Sequence, residues 1–320
     1  MNFKEFQEKF QKKKVLEYPN NGPTNPVVSI CIQTYNQSKF ISTCLDNILN
    51  QNVNFEYEIL LGDDKSSDGT REICLKYANN FPDKIRLFLH ERENNISIEN
   101  KSTGLFNSFF NLLSAKGKYI AYCDGDDYWN DRFKLQKQVE FLEKNENYSI
   151  CYHGIKTVDE NGNEVFKEHL EQSQRDFTSE ELKKVLVQPA ISTWCFRNLI
   201  EEIPIEMTKT INADNFWISL IGFYGHGKFL TGINPSHYRV HKRGIWSLIR
   251  RDSQLHSKMK TYLNLSNYHF NKGNLELAIY FKKNSDKYFK MLYYYHLKHL
   301  NYHFLKLNTF RFFRIQFSAK

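Results

Sequence analysis

No stretch of this chain approaches the roughly 18 consecutive apolar residues of a membrane-spanning helix, and Met1 to Lys14 is charged throughout, without the apolar core of a secretory signal. Both absences predict a protein that stays in the cytoplasm. The six cysteines, Cys31, Cys44, Cys74, Cys123, Cys151 and Cys195, include no Cys-x-x-Cys pair, which argues against a zinc site or a disulfide framework and for buried free thiols. Glycine is missing from Gln33 to Lys39, where a triphosphate-binding loop would be Gly-rich and basic. Net positive charge is missing from most of the chain. Of the net +8, the stretch from Arg251 to Lys320 carries +10 (13 basic, 3 acidic), leaving −2 for residues 1 to 250. A nearly neutral body with a basic tail argues against a nucleic-acid partner and gives the C-terminus a role of its own. The length of 320 residues suits one large domain or two small ones, and an apolar content of 41% suffices for a sizeable core.

What is present is a run from Tyr119 to Trp129, Tyr-Ile-Ala-Tyr-Cys-Asp-Gly-Asp-Asp-Tyr-Trp, in which a short apolar stretch ends in three carboxylates, Asp124, Asp126 and Asp127. The apolar part suits a buried parallel strand, and Gly125 among the acids permits a sharp turn at its carboxyl end. Ligands of open α/β sheets bind at that edge. Crowded carboxylates repel one another unless a cation or hydrogen-bond donors are present, and hard oxygen ligands suit Mg²⁺ or Mn²⁺ shared with substrate phosphates. The same residues also read as a solvated acidic turn that caps the helix beginning near Arg132.

In chain order, residues 1 to 25 read as a short charged helix and a linker rich in Pro, Asn and Gly, with a folded domain starting at Pro26. Val27 to Thr34 is a β-branched run followed by a helical pattern at Phe40, Ile41, Leu45, Ile48 and Leu49. Tyr57 to Leu61 is a second strand running into a polar loop. There Asp68 or Thr70 can cap the next helix, Arg71 to Asn80, whereas Asp63 and Asp64 have no such structural use. A strand at Ile85 to His90, a helix at Ser102 to Ala115 and a strand at Lys118 to Cys123 complete an alternation that predicts a doubly wound, mostly parallel sheet with one ligand crevice. Beyond it, Phe133 to Lys144 is an amphipathic helix. Ser149 to Val158 and Glu164 to Phe166 read as a hairpin around Asp159 to Asn163. His153 in its first strand is a structural or a catalytic histidine. Thr178 to Glu181 is a capping box for a helix reaching about Val187, and Ile191 to Phe196, Phe229 to Ile233 and His237 to Val240 are further strands. Asp214 precedes an apolar helix, Phe216 to Phe223, and can serve as its N-cap.

Pro26 to Asn36, Asp63-Asp64 with Ser-Ser-Asp68-Gly69-Thr70, and Ala115 to Tyr119 leading into Asp124-Gly-Asp126-Asp127 together resemble family 2 glycosyltransferases of the GT-A fold, over roughly residues 26 to 250. A Gly-rich, Arg-Asn segment that many members carry before the central strand is not evident in Asn94 to Phe110. The resemblance implies a nucleotide-sugar-dependent, metal-dependent, inverting transferase. In it Asp64 would accept from the nucleobase, Gln33 and Tyr35 would flank the nucleoside, Asp124 would hold ribose, and Asp126 and Asp127 would hold Mn²⁺ or Mg²⁺. Asp214 resembles the general base, and Tyr238 to His241 with Gly244 to Ser247 resembles a bacterial motif. On that basis His241 would complete the metal shell or touch diphosphate, and Arg239 or Arg243 would neutralise phosphate. The implied partners are a nucleotide-sugar donor of UDP type and a glycan or lipid-linked acceptor in cell-surface polysaccharide synthesis. The rivals are a sugar nucleotidyltransferase, which the missing glycines disfavour, and a non-catalytic sugar-nucleotide-binding protein, which the retained carboxylates disfavour.

Residues 251 to 320 read as a basic, aromatic helical extension, in which Asn264 to Met291 resembles one hairpin of tetratricopeptide type. Tyr293 to Phe317 either packs on the rest of the chain or offers a surface to an anionic membrane or lipid-linked acceptor, which would place the protein at the inner face of the cell membrane.

Overall fold

A computed structural model describes all residues except 166–173, 187, 242, 243, 245–249 and 318–320. In chain order its helices are α1 (Phe3–Phe10), α2 (Ile41–Leu49), α3 (Thr70–Asn80), α4 (Leu105–Leu113), α5 (Lys134–Lys144), α6 (Ser179–Lys183), α7 (Ala213–Ile221), α8 (Arg251–Asn271), α9 (Leu275–Lys298) and α10 (Tyr302–Phe317). Its strands are β1 (Leu16–Glu17), β2 (Val28–Thr34), β3 (Tyr57–Asp63), β4 (Ile85–Leu89), β5 (Ser97–Ile98), β6 (Lys101–Ser102), β7 (Tyr119–Tyr122), β8 (Tyr148–Tyr152), β9 (Ile155–Val158), β10 (Cys195–Arg197), β11 (His226–Phe229) and β12 (Ser236–Arg239). The main sheet has the order β1-β4-β3-β2-β7-β10-β8-β11, with β4, β3, β2 and β7 mutually parallel and β10 antiparallel to both neighbours. Strand order reverses between β2 and β7, so their carboxyl ends open the crevice where such sheets bind ligands.

The strands read as continuous apolar runs because helices cover both faces. Ile30, Ile32, Ile59 and Leu61 pack with Leu45 and Ile48 of α2, Cys74 of α3 and Leu135 and Val139 of α5. On α4, Asn107 donates to the Gly62 carbonyl (2.7 Å) and Asn111 to those of Ile32 (3.0 Å) and Leu60 (3.2 Å), tying the helix to the ends of β2 and β3. Gly62 has to be glycine, since a Cβ there would lie 1.8 Å from Asn107 Oδ1.

The chain divides into two compact units, one of residues 1–203 and 217–240, the other of 204–216 and 241–320. Several expectations change. The expected N-terminal helix forms but is not a loose charged arm: Asn2 and Glu5 form a capping box on α1, Phe6 is fully buried and stacks on Phe106, and β1 pairs with β4. Burying one such ring contributes about 1.5–3 kcal/mol, enough to fasten a short arm. The boundary at 250 also moves, because 204–216 joins the C-terminal helices: Asn212 accepts from Ser257 (2.7 Å), Asn264 donates to Thr210 (3.0 Å), and Phe216 meets Tyr268 edge-on. The hairpin forms its turn, with Asp159 N–H bonded to the Asn163 carbonyl (2.9 Å), but pairing shrinks to a bridge between Val158 and Glu164. β9 instead pairs in parallel with β12, and Phe166 lies outside the described residues. Ile191 to Thr193 is a 3₁₀ turn, leaving only Cys195–Arg197 as strand. The helix capped by Thr178 ends at Lys183, and the residue after Leu186 is likewise outside the description.

Candidate active site

The loops after β2, β3 and β7 are bolted together by short polar bonds. The Asp64 N–H donates to the Thr34 carbonyl (3.0 Å) and the Gly125 N–H to that of Gln33 (3.0 Å). Asn36, in the left-handed region (φ 52°), donates its N–H to Ser66 and accepts that of Ser67, each at 2.9 Å. Gln37 N–H donates to Thr70 Oγ1 (2.8 Å), and Asp68 caps the start of α3 by accepting the Thr70 N–H (3.1 Å). Gly125 leaves room for Thr34 and Gln37, whose Oε1 would stand 2.5 Å from a Cβ.

The acid pair after β3 divides its labour. Asp63, expected to have no structural use, is a brace: it is fully buried and paired with Arg71 Nε at 2.5 Å, while Arg71 also donates to the His90 carbonyl (2.8 Å). Asp64 is buried, accepts from Arg92 and from Asn95 Nδ2 (2.8 Å), and the Arg92 guanidinium lies 4.0 Å from the centre of the half-exposed Tyr35 ring. Burial raises the Asp64 carboxyl to about 6, against the opposing pull of Asn95 and Arg92. Gln33 donates to Ser108 (3.0 Å), and its buried Oε1 has no partner among the described residues.

At the end of β7, Asp127 is buried and accepts the Arg239 N–H (2.9 Å), while its own N–H returns to the Asp124 carbonyl (2.9 Å). Burial, then the charges of Asp126 and Asp124, push the Asp127 carboxyl well above the ordinary carboxylate range. Three neighbouring carboxylates, with the charged form of the buried Asp127 disfavoured, form a donor set suited to a hard divalent cation. Among the described residues, however, no three His, Cys, Asp or Glu side chains are already gathered as a metal cage. Such a site would therefore draw ligands from substrate phosphates and water, as Mg²⁺ sites commonly do.

Arg239, expected to meet phosphate, keeps a buried Nε without a partner among the described residues. It is buried, donates through Nη1 to the Asp126 carbonyl (2.7 Å), and lies over the rings of Phe40 (4.5 Å) and Tyr128 (5.1 Å), which makes it a brace behind the acids. Arg243 lies outside the described residues. Asp214 and His241 belong to the second unit, near the points where the chain leaves and re-enters it. Asp214 is the second residue of α7, inside the first turn rather than ahead of it, and its Oδ1 accepts the Asn215 N–H (3.0 Å). His241 is buried and its carbonyl accepts the Gly244 N–H (3.0 Å). His153 is structural in character: burial and then the Lys134 charge hold it well below the ordinary imidazole value, and Nε2 lies 3.4 Å from Ser236 Oγ.

Arg92 and Asn95 were missed by sequence reasoning, as were the helix asparagines Asn107 and Asn111. Their signal was the Arg92-Glu-Asn94-Asn95 run, which stands just before and at the start of a stretch judged to lack Arg-Asn character.

The model of the family described as Glycosyl transferase family 2 matches residues 29–203. An uncharacterized protein of Mycobacterium tuberculosis, Rv1520, is 37% identical over 136 residues, which is 42% of this chain and 37% of that protein, so the match spans well under half of the relative. An uncharacterized glycosyltransferase of Nostoc, alr2836, is 27% identical over 256 residues, covering 76% of this chain and 74% of the relative. Among solved structures, Staphylococcus aureus TarS 1-349 in complex with UDP superposes with a TM-score of 0.51 at 19% identity, covering 75% of this chain and 65% of that one. The same fragment is also known with UDP-GlcNAc. The likeness to TarS concerns the fold, a GT-A sheet followed here by C-terminal helices. With the family model covering more than half of the sequence, the chain belongs to glycosyl transferase family 2.

Proposed function

We propose that this glycosyltransferase moves a sugar from a uridine-type nucleotide sugar to a hydroxyl of a glycan or lipid-linked acceptor, with inversion, and requires Mn²⁺ or Mg²⁺. The observation that carries the reading is the trio Asp124, Asp126 and Asp127 at the switch point of the sheet, with the Asp127 carboxyl pushed upward by burial and then by the charges of its two neighbours. The UDP and UDP-GlcNAc complexes of TarS favour a uridine donor.

In this reading Asp64 accepts the nucleobase N–H, Gln33 and Tyr35 flank the nucleoside, and Asp124 holds ribose. Asp126 and Asp127 hold the cation, with His241 as a further ligand. When bound, the cation supplies positive charge that offsets the charge growing on the departing diphosphate. Asp214 takes the proton of the acceptor hydroxyl as the oxygen attacks the anomeric carbon. Arg239 keeps the acids in place and, through the Nε that has no partner among the described residues, would neutralise phosphate.

The test is calorimetric titration of UDP with Mn²⁺ or in excess EDTA, paired with an assay of UDP release from a panel of UDP-sugars and acceptors. Binding and turnover should both require metal, and Asp126→Asn should weaken metal-dependent binding. Full turnover in excess EDTA would refute metal dependence, and tight binding with no release on any acceptor would favour a non-catalytic role.

A further inference from the structure

The last helix has two faces of different character. Inward, Phe304, Leu305, Phe312 and Ile315 pack around Met259, Phe289 and Tyr293, with the rings of Tyr293 and Phe312 stacked at 4.1 Å and Tyr293 Oη 2.9 Å from Thr309 Oγ1. Arg311 also serves this inner side, its guanidinium 4.0 Å from the centre of the Phe289 ring. Outward, Tyr302, Lys306, Phe310, Phe313 and Arg314 recur at helical spacing, with His303 and Leu307 beside them. These are large apolar groups left in water: Phe310 is 81% exposed, Tyr302 71% and Leu307 69%. The packing of α10 on α8 and α9 is thus already satisfied, and the outward aromatic face is surplus to it.

Charge indicates what covers that face. Over Tyr302 to Phe317 the basic residues are Lys306, Arg311 and Arg314, of which Lys306 and Arg314 face outward, and there is no acidic residue. A protein partner of mixed charge has no need of so one-sided a surface, whereas aromatic and aliphatic groups interleaved with cations suit the headgroup boundary of an anionic bilayer. No helix among the described residues is long and apolar enough to cross a membrane, so the contact is with a surface.

We propose that the outward face of α10 docks in the plane of an anionic phospholipid bilayer, with Phe310 at the centre of the contact and Lys306 and Arg314 at its edge. This goes beyond the catalytic reading and does not depend on it. The experiment is co-sedimentation of the full chain with phosphatidylcholine vesicles containing roughly a quarter phosphatidylglycerol, and with pure phosphatidylcholine vesicles, at low and high salt. Binding should be about tenfold or more tighter on the anionic vesicles and should weaken with salt. Phe310→Ser with Leu307→Ser should abolish it without moving the melting transition. Lys306→Glu alters only the outward face and serves as a second variant should the double one unfold; it should selectively weaken binding to the anionic vesicles. Equal binding to both vesicle types, or binding untouched by Lys306→Glu, overturns the proposal. So does sedimentation of the free protein as a dimer that these substitutions dissociate, which would assign the face to a second copy.

Discussion

Asp64 concentrates the electrostatics of the candidate site on one carboxylate. Its pKa of about 6 means that the folded chain keeps a proton that the unfolded chain releases near pH 4. As pH rises between those values the unfolded state is the one that loses protons, so this group's contribution to stability falls across that window and is flat above it. Denaturation curves from pH 4 to 7 should show that decline in the wild type and not in Asp64→Asn. Nucleotide binding should run the other way, since an ionised Asp64 is the acceptor: affinity should rise as pH passes about 6, and Asp64→Ala should cost roughly 1–3 kcal/mol of it. An affinity unchanged in Asp64→Ala, measured calorimetrically, would separate Asp64 from the base site. At Gly62 the constraint is steric. With 1.8 Å between a new Cβ and Asn107 Oδ1, Gly62→Ala should destabilise the protein by about 1–3 kcal/mol in a urea titration.

At the scale of elements, α7 poses the sharpest question. Asp214 lies within its first turn, where exchanging the carboxylate for an amide loses only a helix-dipole contribution of about 0.3–1 kcal/mol, so Asp214→Asn should lower the melting temperature by no more than a few degrees. Asn cannot take a proton, and a catalytic Asp214 predicts a fall in kcat of roughly 10²–10⁴ with donor affinity intact. A variant retaining more than about a third of wild-type turnover would place the base elsewhere. The parallel strands and the acids that end them were legible in the sequence, because β2, β3 and β7 are buried on both faces and read as mostly apolar runs, interrupted in β2 by Ser29 and in β3 by Glu58. Other features depend on contacts distant in sequence and carry no local periodicity. Phe6 reads as part of a charged tail until Phe106 is known to lie against it. β9 resembles half of a hairpin because its real partner, β12, is far along the chain. Arg92 gives no sign of pairing with Asp64 until β4 is set beside β3.

Over the whole molecule, the second unit is assembled from two separate segments. A chain cut after Arg250 would leave Asn212, Thr210 and Phe216 without their partners on α8, so it should melt several degrees lower or precipitate, as thermal denaturation would register. The cysteines add a further consequence. All six are buried, all six belong to the first unit, and the second unit has none. A thiol-alkylating reagent in the native protein therefore meets a sulfur only when the sheet-bearing unit opens. The chain carries an intrinsic clock for that unit's opening, blind to the unfolding of α8 to α10, and comparing labelling rates with the loss of helical circular dichroism would time the two units separately without any introduced probe.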